Sequence, residues 1–151
     1  MKLKILSKKE IKRIFSMIKQ QFGADAKLKH AFLQDKDGKL FMVNRDVSRI
    51  DLSKLRVNSI GMEFGAVRDG ILLSIEASQM VGPLADRNIV EFDKKDAKRW
   101  LAGEELDYSG DIEGYVLIRS GEDFLGTGRI KEKKIMNFIP KPRRLKTTEL
   151  I

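Results

Sequence analysis

The stretch GYVLIRS, residues 114–120, constrains the fold of this chain most strongly. A strand alternates its side chains between two faces, and here Tyr115 and Leu117 are apolar on one face while Val116 and Ile118 are apolar on the other. Such a strand must be covered on both sides, as a strand buried in a small β-barrel would be. A GEDF turn, LGTGRIK and KIMNFI follow, so the C-terminal part reads as mostly β. Pro140 and Pro142 lack amide donors, which makes PKPRR an edge or an extended loop whose bases face solvent.

Charge is the second constraint. From Gly126 to Lys146, eight Lys or Arg side chains share 21 residues with Ile, Met, Phe and Pro and with one acid, Glu132. A solvated tail would carry few core-forming residues, and a core strand would carry few charges. The mixture fits a half-buried surface whose outer face meets something negative. The net charge of +8 is divided unevenly: residues 1–29 carry +7, residues 126–148 carry +7, residues 30–125 carry −5, and Glu149 carries the remaining −1. Two basic ends are the electrostatic footprint of a polyanion binder, with solvated Lys-rich faces as the alternative.

Upstream, SKKE at Ser7–Glu10 is a capping box that starts a helix. Ile11, Ile14, Phe15, Ile18 and Phe22 form its apolar stripe, and Gly23 is a natural C-terminal cap. HAFLQDKDGKLFMVN is a hairpin turning at Gly38. VNSIGMEFGAVRDGILLSI reads as strand, bend, strand, turn and strand, with Asp69-Gly70 as the tight turn and Gly61 and Gly65 where the backbone bends or approaches closely. IEASQMVGP is a short helix ended by Gly82-Pro83, and Asn88–Phe92 is a strand. Asp93 caps a helix containing Ala97, Trp100 and Leu101 and stopped by Gly103. The polar run GEELDYSGDIEG places the expected domain boundary at about Leu106 to Asp111.

Several chemistries are excluded. No apolar run approaches the roughly 18 residues of a membrane span, and no signal-peptide series is present, so a cytoplasmic location and no membrane partner are expected. Without Cys there are no disulfides, thiolate metal sites or cysteine nucleophiles. The single His, His30, is read as structural or surface, because no nucleophile and base pattern surrounds it. Gly126-Thr127-Gly128 lies between strand residues and reads as a bulge, not a phosphate loop. Asp35-Lys36-Asp37-Gly38 lacks the later Glu of a calcium loop and reads as a turn, while Glu104, Glu105, Asp107 and Asp111 read as a solvated acidic linker. No catalytic residue, metal site or cofactor is expected.

GYVLIRSGEDFLGTGRIKEKKIMNFIPKPRRLK resembles a PUA domain, a small RNA-binding β-barrel. The likeness is to the C-terminal domain of RsmF-type rRNA cytosine-5 methyltransferases of the Sun family, carried by Gly114-Tyr115, Leu125-Gly126-Thr127-Gly128-Arg129 and Asn137 to Lys141. It extends over about Asn58 to Leu145, since IGMEFGAVRDGILLSIEASQM and the helix ending RWLAGEEL look like the domain that precedes the PUA part. The two-part layout is also similar to the NIP-seven family of archaeal and eukaryotic ribosome-biogenesis factors. The resemblance implies an α+β protein, with a small α/β pre-PUA domain over residues 1–108 and PUA-like barrel strands over 109–151, completed from about 58–105. RsmF-type enzymes carry a Rossmann-like S-adenosylmethionine domain and catalytic cysteines; with 151 residues and no Cys, the RNA-binding portion alone is expected.

In such a barrel Ile130, Ile135, Phe138 and Ile139 turn inward and leave Arg129, Lys131, Lys133, Lys134, Lys141, Arg143, Arg144 and Lys146 on one RNA-binding surface. Asn137 either hydrogen-bonds a base or fixes a turn. Arg143 and Arg144 can grip phosphate with two donors each or stack on an unpaired base. Tyr115 and Phe138 are read as core, so recognition of structured rRNA or tRNA by shape and backbone is expected. A methyltransferase or a ribosome-assembly protein is the expected further partner. The competing expectation is a protein-interaction module, or an accessory subunit of a separate RNA-modifying enzyme, whose charge only steers it to an acidic partner.

Overall fold

A computed structural model describes residues 3–43 and 61–146. The strand start expected at Val57 to Ile60 lies outside the described residues. Helix α1 (Lys8–Phe22) begins where the capping box predicts. The Ser7 hydroxyl accepts from the Glu10 amide at 3.2 Å, and Glu10 Oε1 accepts from the Ser7 amide at 3.1 Å. Lys4 lies on the same carboxylate, and with Ser7 it lowers the Glu10 pKa to about 2. Ile14, Ile18 and Phe22 are buried, and Gly23 closes the helix at φ 73°. Ser7→Ala should cost about 1 kcal/mol, read as a lower urea midpoint at unchanged slope; an unchanged midpoint would show that the cap contributes nothing.

The first sheet is an antiparallel meander of β1 (Leu3–Ile5), β2 (Ala31–Asp35), β3 (Lys39–Val43), β4 (Met62–Val67) and β5 (Ile71–Leu73), paired in that order. At the β2–β3 turn, Asp35 Oδ1 accepts from the amides of Asp37 and Lys39, so the acidic cluster is a turn, as expected. Alternation sends Phe32, Leu40 and Met42 into the core under α1, while Leu33, Phe41 and Val43 are buried on the other face. Phe15, Phe32 and Phe64 stack edge-to-face at 5.7 and 5.2 Å. Between Leu40 and Phe41 the register slips, leaving β4 with an extra residue at a bulge beside Gly65. Ser74 then caps the short helix α2 (Ile75–Val81).

The second sheet is a curled half-barrel. Its strands are β6 (Ile89–Glu91), β7 (Leu106–Asp107), β8 (Gly114–Ser120), β9 (Asp123–Lys131) and β10 (Lys134–Asn137), in the order β6-β8-β9-β10-β7. β6 runs parallel to β8 and the other pairs are antiparallel. Helix α3 (Lys94–Leu101), capped by Asp93, seats the fully buried Trp100 against this sheet. With three helices and two sheets among the described residues, the architecture is α+β.

β8 is covered on both faces, as its composition requires. Tyr115 and Leu117 enter the core of the first sheet, whereas Val116 and Ile118 enter the core around Trp100. The polar run in which a domain boundary is expected, at about Leu106 to Asp111, packs on the second sheet. Leu106 is 4% exposed and sits in the second core, β7 pairs with β10, and Tyr108 and Ile112 pack alongside. The start of the acidic run, Leu106–Asp107, is therefore an edge of the second sheet, anchored by the buried Leu106.

Candidate nucleic-acid interface

The two sheets meet at Leu125-Gly126-Thr127-Gly128. The register of β8 against β9 shifts between Leu117 and Arg119, which makes Leu125-Gly126 a β-bulge with Gly126 at φ 91°. The bulge turns backbone groups both ways. On one side the Leu125 carbonyl accepts from Trp100 Nε1 at 2.9 Å; on the other the Gly126 amide donates to Ser78 Oγ at 2.9 Å. Thr127 Oγ1 accepts from the Leu73 amide at 3.2 Å, which joins β9 to β5 of the first sheet. Gly128 is needed for closeness, because a Cβ there would lie 2.6 Å from Ile135 Cγ2 and 2.8 Å from Trp100 Cη2. The Gly-x-Gly motif is the joint between the sheets.

Beside this joint a cleft of about 550 Å³ opens between the sheets. Lys39, Glu63 and Arg68 line it from the first sheet, and Arg129, Lys131 and Arg143 from the second part of the chain. Its cations outnumber its carboxylate. The Arg129 guanidinium lies over the Tyr115 ring at 5.0 Å, and the Tyr115 hydroxyl donates to the Arg68 carbonyl, so ring and guanidinium are held in place. Lys39 stands 3.7 Å from Glu63, and Arg129 stands 3.8 Å from the exposed Asp69. Such exposed pairs are weak and yield readily to a stronger anion.

Residues 87–145 match the family model of the methyltransferase RsmF PUA domain. The chain carries a PUA-like domain. No curated protein matches the chain. The match begins at Arg87, just ahead of β6, so it spans the second sheet, α3 and the segment through Leu145. A PUA domain implies RNA binding and is itself a non-catalytic module.

The expected site residues fall in different places on the PUA-like domain. Arg129 and Lys131, near the end of β9, line the cleft, and Lys131 has no carboxylate partner among the described residues. Lys133 is exposed at the β9–β10 turn, where it and Glu132 take positive φ values, 62° and 53°. Lys134 is exposed at the start of β10, 3.8 Å from Asp107. Lys141 is exposed in a 3-10 turn over Lys141–Arg143, and Lys146 is exposed at the end of the described residues.

The two arginines of PKPRR are engaged within the protein. Arg143 grips Glu76 of α2 with two donors, one at 2.7 Å, and this holds the Glu76 carboxyl below its ordinary pKa. Arg144 donates from Nε to the Ile139 carbonyl at 2.9 Å and lies against Gly103. Asn137 fixes a turn: Nδ2 donates to the carbonyls of Trp100 and Glu104, and Oδ1 accepts from the Ile139 amide. It satisfies carbonyls at the C-terminal end of α3.

Phe138 corrects an expectation. Expected in the core, it is 39% exposed and lines the cleft with Met136. Ile135, Asn137 and Ile139 point inward together, so alternation sends Met136 and Phe138 outward. Tyr115 is core, as expected. Lys39 and Arg68 were not anticipated; they flank the turns DKDG and RDG, which the strand pairing brings beside β9. His30, half-buried ahead of β2, does not line the cleft. Among the described residues no cluster of metal-ligating side chains occurs, and no helix is long and apolar enough to cross a membrane.

Proposed function

We propose that this protein is a non-catalytic RNA-binding protein that engages structured rRNA or tRNA, in ribosome assembly or as the RNA-targeting partner of a separate modification enzyme. The observation that carries this reading is the cationic cleft. Arg129 and Lys131 of the PUA-like domain line it together with Lys39 and Arg68, so both parts of the chain contribute cations to one cleft. Phosphates bound there release counterions, which makes affinity steeply salt-dependent. Lys133 and Lys141 extend the charge along the outside of the domain.

Titration of a labelled rRNA hairpin at several salt concentrations tests the reading. Micromolar or tighter binding is expected, and Arg129→Ala with Lys131→Ala should flatten the plot of log K against log salt by about 1.8, roughly 0.9 per lost phosphate contact. Absence of binding at about 50 mM salt would sink it, since even non-specific electrostatic binding is strong there.

A further inference from the structure

The geometry points to the cleft as a pocket for one unpaired RNA nucleotide, its base against Phe138 and Met136 and its phosphates on Arg129 and Lys131. This deepens the RNA-binding reading above and rests on it. The cleft combines two surfaces that a duplex backbone would not use together. Its apolar lining includes Ile75, Met136, Phe138 and Pro140. Its charged lining is cationic apart from Glu63. A volume of about 550 Å³ falls within the roughly 300–1,000 Å³ of small-ligand clefts. A concave site between two sheets admits a single base, whereas paired bases stay inside their helix.

Phe138 gives the argument its direction. Ile5, Leu84 and Phe138 are the large hydrophobic side chains exposed among the described residues, and of these Phe138 alone lines the cleft. Its exposure is enforced by Asn137, whose three hydrogen bonds fix the neighbouring backbone. An aromatic face held open beside cations is a stacking platform. Arg129 is pre-oriented as well. Its guanidinium carbon lies 5.0 Å from the centre of the Tyr115 ring, and its carboxylate neighbour is the exposed Asp69 at 3.8 Å, a weak pair that a phosphate can displace. Gly70 packs on the Tyr115 ring, where a Cβ would lie 2.6 Å from the ring carbons, so the ring cannot tilt away.

Two RNA hairpins that differ by one bulged nucleotide, bearing 2-aminopurine at the bulge, provide the test. The protein should bind the bulged hairpin more tightly than the paired one by roughly 5- to 150-fold, the factor for stacking one base, and quench the 2-aminopurine fluorescence. Phe138→Ala, with its fold checked by circular dichroism, should bring that ratio to about one. A 5-bromouridine at the bulge should photocrosslink to the peptide carrying Met136 and Phe138. Equal affinity for both hairpins, a ratio kept in Phe138→Ala, or crosslinks confined to other peptides would overturn the inference while leaving RNA binding intact. Equal affinity with displacement by an acidic peptide would assign the cleft to a protein partner instead. If neither hairpin binds, the RNA-binding reading itself fails and takes this pocket with it.

Discussion

Trp100→Ala is expected to lower the melting temperature by roughly 10 °C. The side chain is fully buried, packs edge-to-face on Phe92 at 5.8 Å and lies against Gly128. Removing a buried aromatic of this size costs about 3–5 kcal/mol. The Leu125 carbonyl also loses its donor at the bulge. At roughly 2–4 °C per kcal/mol for a chain of this length, the loss is plain in a circular dichroism melt. Trp100→Phe keeps most of the apolar area and loses the hydrogen bond, so its drop should be clearly smaller. A Trp100→Ala protein melting within a few degrees of the parent would show that the second core does not depend on this residue.

Gly65→Ala should be damaging for a different reason. The position has φ 155°, and a Cβ would sit 1.9 Å from the Leu72 carbonyl oxygen. That oxygen belongs to the paired strand and cannot step aside like the tip of a flexible side chain. Backbone strain and overpacking together predict a loss of roughly 3 kcal/mol or more. The effect should reach the joint, because the next residue, Leu73, donates its amide to Thr127. Faster hydrogen exchange at the Leu73 amide and an earlier transition in Trp100 fluorescence are the readouts. Parent-like exchange and stability would refute the close approach.

What was legible in the sequence follows from how local each signal is. The capping box at Ser7, the Gly23 terminator, the Asp35 turn, the Asp69-Gly70 turn and the Asp93 cap each depend on a few neighbouring residues, and each stands where expected. The doubly apolar β8 was equally readable, because burial on two faces leaves no polar position. The cleft was only half readable. Arg129 and Lys131 stand out in a basic run, but Lys39 and Arg68 join them through strand pairing across the chain, which no local pattern encodes. Phe138 was misplaced because a polar Asn137 occupies an inward position, which hides the period of two. The burial of Leu106 is hard to read locally, because one core residue among acids looks like a linker.

β8 is a party wall: the side chains papering its two surfaces belong to different rooms. A fragment cut at Arg87 would lay Tyr115, Leu117 and Phe124 bare to water, and it would stick to itself or seek another greasy cover. The matched region, residues 87–145, thus shares apolar surface with the sheet in front of it.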